Sequence, residues 1–244
     1  MSVLRLPGAG LPTIKGSIAT FFSRDKNFAR RVWEGEGALG PALVHSGYEA
    51  VIAPAYSTYW RSSPFVIQSA IARSASLAMA LARHLPTIPT FVWSCDDDLL
   101  LQVRWAAASG CRSIALDLGP LWSSQAWPWA VRAIEVTAAS FTRLGVRVQL
   151  VTNGVTSRAH IAEVCRTWPW EVSFLTRGVW VQSRKHRVLM PDLSPIDDET
   201  DRTADQLLLH NMQQIRHVID EAARRRELSR TSDRRPITGV AGTG

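Results

Sequence analysis

The 244-residue chain has few cysteines and no long uninterrupted apolar run. Cys95, Cys111 and Cys165 are its only cysteines, and no CxxC spacing occurs, so neither a disulfide framework nor a zinc ribbon is supported. The most apolar stretch, residues 65–85, is interrupted by polar side chains and predicts a buried helix rather than a bilayer span. Prolines and glycines in residues 1–16 break the apolar core that a signal peptide needs. We therefore expect a cytoplasmic protein with no membrane partner.

Several catalytic fingerprints are also absent. The sequence has no P-loop, no HExxH and no GxSxG, so a Walker-type hydrolase, a zincin protease and an esterase lack support. His210 and His217 lie seven residues apart without acidic ligands at matching spacing, so no metal site is predicted. The identity of any cofactor stays open.

Positive charge is in excess, with a formal net charge of +7. Residues 224–235 hold six arginines and two acidic residues, so the net charge of this segment is more than half of the +7 of the whole chain. Such a run binds the phosphates of DNA or RNA, or forms a solvated helix end. A hairpin predicted over residues 180–190 carries a second basic group at its tip. The candidate nucleic-acid-binding residues are Arg184, Lys185, Arg187, Arg224, Arg225 and Arg226.

Short runs rich in β-branched residues alternate with helical patterns along the chain. Six strands are predicted at residues 17–22, 49–54, 90–94, 113–118, 147–152 and 171–176. Nearly continuous apolar strands that alternate with helices are typical of a parallel sheet covered by helices. We predict an α/β fold with a TIM-barrel-like closure of six to seven strands, then a C-terminal hairpin and a long helix. An open doubly wound sheet is the alternative.

The domain boundaries follow from composition. Residues 17–228 are predicted to form a single α/β domain, after an N-terminal extension at 1–16. Residues 229–244 are predicted to be a disordered basic tail. The long last helix is expected to start near Asp197 or Asp198.

Polar residues follow every predicted strand, where parallel α/β folds bind their ligands. Caps and turns explain most of them. Asp117 differs, because Leu118, Gly119 and Pro120 follow it and no helix starts directly after it. The candidate catalytic residues are Asp25, Asp97 and Asp117, and the candidate ligand-binding residues are Ser57, Tyr59, Trp60, Asn153 and Arg177.

Ten tryptophans are present, and several lie in or beside the predicted strand-end loops. Trp60, Trp122, Trp127 and Trp129 are in this group. Aromatic side chains there can stack on a base or a sugar. Core packing or an oligomer contact is the alternative interpretation.

Three segments in the N-terminal third occur in the order and spacing of a known family: FFSRDKNFARRVW (21–33), PAYSTYWRSSP (54–64) and IPTFVW (88–93). They resemble the bacterial and phage family known as domain of unknown function 4417. That family has Asp-Phe where this chain has Ala55 and Tyr56, so the family's aspartate is missing here. The resemblance implies a phage or mobile-element setting and no particular activity.

Three functions from different classes are compatible with these features. The first is a nucleic-acid-associated protein of a phage or mobile element, with DNA or RNA as its partner. The second is a barrel enzyme that uses the three candidate aspartates for glycosidic or base-exchange chemistry on nucleotides or nucleic acid, because carboxylates stabilise oxocarbenium-like transition states. The third is a non-catalytic interaction module. The arrangement of the strand-end residues distinguishes among them.

Overall fold

The computed structural model describes residues 17–21, 32–56, 63–176 and 178–233. The chain divides into two compact units, Met1–Val155 with Trp170–Arg177 and Thr156–Pro169 with Gly178–Gly244. The predicted extension at 1–16 and residues 234–244 of the predicted tail lie outside the described residues.

The first unit contains seven described strands, all paired in parallel. They are β1 (Ile18–Ala19), β2 (Ala50–Ile52), β3 (Thr87–Ile88), β4 (Thr90–Phe91), β5 (Ser113–Asp117), β6 (Gln149–Asn153) and β7 (Val172–Leu175). The sheet orders are β1-β2-β3 and β4-β5-β6-β7, so neighbours in space are neighbours along the chain. The predicted parallel α/β fold is confirmed, and a strand overlaps each of the six predicted ranges, although β6 extends one residue beyond its range, to Asn153; β3 is additional.

Pro89 explains why β3 and β4 are separate strands. Proline has no N–H to donate, which interrupts the ladder of hydrogen bonds at this position. The Pro89 carbonyl still accepts a hydrogen bond from Ala115 N at 2.8 Å. The Thr90 hydroxyl donates to the carbonyl of Ala53, just after β2, at 2.7 Å. Hydrogen bonds on both sides of Pro89 thus connect strands β2 to β5 in the order of the chain.

Four helices of the first unit connect these strands. They are α1 (Glu36–His45), α2 (Pro64–Ala82), α3 (Asp96–Ala108) and α4 (Trp127–Arg143). The Ser63 side chain caps α2, and Gly110 and Gly145, with φ of 68°, follow α3 and α4. Each helix packs against the next one along the chain. Helices that are consecutive in the chain are therefore also neighbours in space.

The sheet residues alternate between two faces. Val51 packs with Leu77 of α2 in one apolar cluster, which marks the helix-covered face. Ile52, Ala115 and Val151 form a separate buried cluster on the opposite face. Because side chains two residues apart in a strand share a face, the last residues of β5 and β6 lie on the face of Ala115 and Val151.

Helix α2 is, among the described residues, the helix long and apolar enough to cross a membrane by length and composition. Ile67, Ile71, Leu77 and Leu81 are buried at helical spacing, whereas Phe65 is exposed. A core helix of a soluble protein passes the same test. The surrounding parallel α/β structure is consistent with a soluble protein.

The second unit contains a hairpin and the long last helix. Its elements are α5 (Arg158–Thr167), α6 (Gly178–Arg184), β8 (Arg187–Leu189), β9 (Pro195–Asp197) and α7 (Ala204–Asp233). Strands β8 and β9 are antiparallel. Helix α7 packs against α5, α6 and β8. The predicted C-terminal hairpin and long helix are confirmed.

The hairpin lies further along the chain than predicted. Val179 and Val181 alternate as in a strand, but the segment is helical, and the Ser183 hydroxyl donates to the Val179 carbonyl at 2.8 Å. Its packing against α7 outweighs the weak strand propensity of seven residues. The predicted tip residues therefore lie at the end of α6 and in the turn that leads to β8.

The start of α7 was also predicted too early. Asp197 belongs to β9, and Asp198 accepts hydrogen bonds from Thr200 and Arg202. Thr203 and Gln206 exchange backbone and side-chain hydrogen bonds in a capping box directly before the helix. This T-x-x-Q signal is visible in the sequence and fixes the helix start.

Candidate functional site

Asp117 and Asn153 meet at the carboxyl ends of β5 and β6. They are register partners in neighbouring parallel strands. The Asn153 amide nitrogen donates to Oδ1 of Asp117 at 2.8 Å. The Gly119 backbone N–H donates to the same oxygen at 3.1 Å. Two sequence-predicted site residues thus form one hydrogen-bonded pair.

Two glycines allow the strand-end loops to touch beside this pair. Gly154 has a φ of +86°, a conformation that other residues adopt only with strain. A Cβ on Gly154 would lie 2.3 Å from the Gly119 Cα and 2.5 Å from the Gly119 nitrogen. Since that nitrogen donates to Asp117, the close contact of the two loops also positions the carboxylate.

Each side chain of the pair has one oxygen atom that accepts no hydrogen bond from the described residues. Both hydrogen bonds to Asp117 end on Oδ1, and its Oδ2 accepts none from the residues that the structure describes. The Asn153 amide is oriented by its donation to a carboxylate, so its oxygen faces elsewhere and has no described donor either. Both side chains are partly exposed. The pair therefore presents hydrogen-bond acceptors to a ligand.

The three aspartates at the start of α3 have separate roles. Asp98 is buried and caps the helix by accepting from the Ser94 and Cys95 backbone N–H groups. Asp96 forms an exposed ion pair with Arg132 of α4 at 2.7 Å. Asp97 is exposed and makes no hydrogen bond or ion pair within the described part of the chain. Of the three candidate catalytic aspartates, Asp117 is the one that the structure joins to another predicted site residue.

Two largely exposed tryptophans lie between the end of β5 and the first turn of α4. Trp122 and Trp129 are 67% and 59% exposed, whereas Trp127 is buried at the start of α4. Trp122 directly follows a short 3₁₀ helix, Gly119–Leu121, and is five residues from Asp117. Along the chain, Trp122 is thus the nearer of the two exposed tryptophans to Asp117.

The end of β2 carries a different aromatic cluster. The rings of Trp33 and Tyr56 are stacked with centroids 3.3 Å apart and an interplanar angle of 16°. The guanidinium of Arg73 from α2 lies 5.0 Å from the Tyr56 ring centroid. These side chains stabilise one another, as a cation–π contact and a stacked pair do in a fold.

The predicted basic residues are distributed over α6, β8 and α7. Arg187 pairs with Asp197, Arg225 pairs with Glu221, and the Arg226 side chain donates to the Trp168 carbonyl. These three contacts belong to the second unit's own structure. The others, Arg184, Lys185 and Arg224, are exposed and make no ion pair within the described residues.

The three cysteines differ in burial, and burial controls their reactivity. Cys95 is exposed at the amino end of α3, whereas Cys165 is buried. Burial raises the pKa of the Cys111 and Cys165 thiols, and the charge of Arg226 opposes this shift at Cys165. Because the thiolate is the nucleophile, both thiols are protected at neutral pH.

We expect one rapidly reacting thiol in the folded protein. Titration with Ellman's reagent is expected to modify Cys95 in a fast phase, and all three cysteines after unfolding in guanidinium chloride. Cys95→Ser retains a good helix cap and should remove the fast phase alone. A fast phase that survives this substitution would show that the burial pattern is wrong.

The remaining predicted site residues cannot be compared with the geometry. Asp25, Ser57, Tyr59, Trp60 and Arg177 lie outside the described residues. Gly119 and Gly154 were missed as site residues, although the sequences DLGP and TNGV signal turns at two strand ends.

Two further findings concern metal ligands and similarity to known proteins. Among the residues that the structure describes, no group of three or more His, Cys, Asp or Glu side chains is placed to hold a metal ion. No protein-family model matches the chain, and no curated protein sequence matches it. Fold and site together define a parallel α/β protein with an acceptor pair at its strand ends. The resemblance to domain of unknown function 4417 stays a prediction.

Proposed function

We propose that this chain is a nucleic-acid-associated protein that binds an unpaired nucleotide at the carboxyl ends of β5 and β6. The carrying observation is the Asp117–Asn153 pair, which presents acceptors at the ends of β5 and β6, together with exposed Trp122 after β5 and Trp129 in the first turn of α4. A nucleotide can contact both features. Its flat base can stack on an indole ring, and its hydroxyl or amino groups can donate hydrogen bonds to the acceptors of the pair.

The charge distribution supports a polyanionic ligand. The chain carries a formal net charge of +7. Arg184, Lys185 and Arg224 are exposed without a carboxylate partner in the described part of the chain, so phosphate contacts require no existing ion pair to break. Affinity is expected to fall as the salt concentration rises.

The enzymatic alternative has less support. Glycosidic chemistry uses two carboxylates on either side of the reacting bond. The described partners of Asp117 are an amide and a backbone N–H, and Asp97 makes no described contact with it. Of the three candidate aspartates, Asp25 lies outside the described residues.

We infer a barrel-like arrangement for the first unit. Strand order follows chain order in both sheets, and successive helices are neighbours, as in a barrel. A doubly wound sheet reverses its strand order at a switch point, and the described strands have no such reversal. An experimental structure with a reversed strand order would overturn this inference.

A phage or mobile-element setting rests on the resemblance of the N-terminal third. The expected cellular location is the cytoplasm. Phage or recombination genes beside this gene would support the setting, and consistent placement among housekeeping genes would argue against it.

Replacement of either exposed tryptophan tests the proposed function. Trp122→Ala and Trp129→Ala are each expected to weaken the binding of a fluorescent single-stranded oligonucleotide by roughly 5- to 150-fold, because stacking contributes about 1–3 kcal/mol per base. Fluorescence anisotropy at low salt measures the affinity.

Leu144→Ala is the matched control for this experiment. Leu144 is also exposed, but it follows the far end of α4, away from the strand ends. Its replacement should leave affinity unchanged. If the wild-type protein binds neither RNA nor DNA at low salt, the proposed function is wrong.

A further inference from the structure

We propose that the Asp117–Asn153 pair binds the 2′-hydroxyl groups of single-stranded RNA, so that the protein distinguishes RNA from DNA. This inference rests on the proposed function and specifies its ligand. The proposal depends on which atoms of the two side chains can accept hydrogen bonds, and on which of these atoms already accept hydrogen bonds within the protein.

The pair offers acceptors and excludes anions. Oδ2 of Asp117 and the amide oxygen of Asn153 have no donor among the described residues. An ionised carboxylate repels a phosphate, so the phosphodiester is not the group that faces it. Hydroxyl, amino and ring N–H groups are the nucleotide groups able to donate to these acceptors.

The occupied oxygen of Asp117 disfavours a base edge. Guanine presents two adjacent donors that fit the two oxygens of one carboxylate. Oδ1 of Asp117, however, already accepts from the Gly119 N–H and the Asn153 amide, which fills its two lone-pair directions. Other base edges place an acceptor beside each donor. Every internal ribonucleotide keeps one free hydroxyl, the 2′-hydroxyl, because its 3′-oxygen is esterified; this hydroxyl can donate to Oδ2 of Asp117 or to the amide oxygen of Asn153.

The positions of the two acceptors, at the ends of neighbouring strands, are also compatible with binding a sugar. Asp117 and Asn153 end neighbouring strands, which lie about 4.8 Å apart, and they are held by the loop contact of Gly119 and Gly154. Trp122 is available to stack on the attached base. A site that binds the 2′-hydroxyl in this way distinguishes RNA from DNA, because DNA lacks that group.

Modified oligonucleotides test the inference with the unaltered protein. The probes are uridine-only 12-mers made of ribose, 2′-fluororibose and deoxyribose. Uridine has no exocyclic amine, and 2′-fluororibose keeps the ribose shape but cannot donate. RNA is expected to bind about 10-fold or more tightly than both other probes, as for a lost hydrogen bond to a charged group. Equal affinity for all three probes would overturn the ribose assignment while leaving the proposed function intact.

Asp117→Asn provides the second arm. The substituted amide oxygen can still accept from Gly119 and Asn153, while its NH₂ group replaces the free acceptor Oδ2 by a donor. We expect the preference for RNA over 2′-fluoro RNA to disappear, with the melting temperature close to wild type. Retention of the full preference by a folded Asp117→Asn protein would contradict the proposal, and binding to neither polymer by the wild type would instead refute the proposed function.

Discussion

Asn211→Ala is expected to lower the free energy of unfolding by about 3–5 kcal/mol, because it leaves buried backbone groups without partners. Asn211 is fully buried on α7. Its amide oxygen accepts from Leu189 N at 2.7 Å, and its nitrogen donates to the Arg187 carbonyl at 2.9 Å and to the Ser183 hydroxyl at 3.0 Å. One side chain therefore joins α7 to β8 and α6.

The matched control is Gln213→Ala on the same helix. Gln213 is exposed, and the change should alter stability by less than about 0.5 kcal/mol. Asn211→Asp keeps the acceptor for Leu189 but sets an oxygen against the Arg187 carbonyl, so it should also destabilise. Urea denaturation followed by circular dichroism measures all three. An Asn211→Ala protein as stable as the control would mean that these hydrogen bonds do not hold the second unit together.

Gly154→Ala is expected to destabilise the protein by about 3–4 kcal/mol, the sum of the left-handed backbone penalty and a steric clash. Its φ is +86°, and the new Cβ would lie 2.3 Å from the Gly119 Cα. Relief of the clash requires the Gly119 loop to move, and the Gly119 N–H would move away from Asp117 with it. Binding of the oligonucleotide should weaken together with stability.

Gly145→Ala separates the two contributions. Gly145 also has a positive φ, of +68°, but a Cβ there would meet nothing within 4 Å. The expected loss is therefore the backbone penalty alone, about 1–2 kcal/mol. Thermal denaturation of both variants measures the difference. Equal losses would show that the loops do not approach as closely as the structure indicates.

Strand periodicity made the first unit predictable. Residues 113–118 and 147–152 are apolar runs between turn signals, and both contain strands in the structure. Because parallel strands bring their carboxyl ends to one edge, the polar residues after them were also predictable as site candidates. The pairing of Asp117 with Asn153 was not, since it depends on the register between two strands.

Short segments were less predictable than long ones. Residues 178–184 have the alternation of a strand but form a helix, because packing against α7 supplies more stabilisation than local propensity. In α7, apolar Met212 is exposed, whereas its polar neighbour Asn211 is buried. The burial of an amide is decided by partners in other elements, and no local pattern signals it.

Composition and periodicity by themselves determined the α/β class, the approximate strand positions of the first unit and the location of polar residues at strand ends. They also indicated a C-terminal hairpin and a long helix, but not the bounds of either. These properties follow from local preferences and from the need to bury apolar side chains at regular spacing. The tertiary structure alone decided which polar side chains meet, which acceptors stay unused and where two glycine loops touch. Those relations join residues distant in sequence, as Asp117 and Asn153 are, and depend on strand register and loop geometry that no single segment encodes.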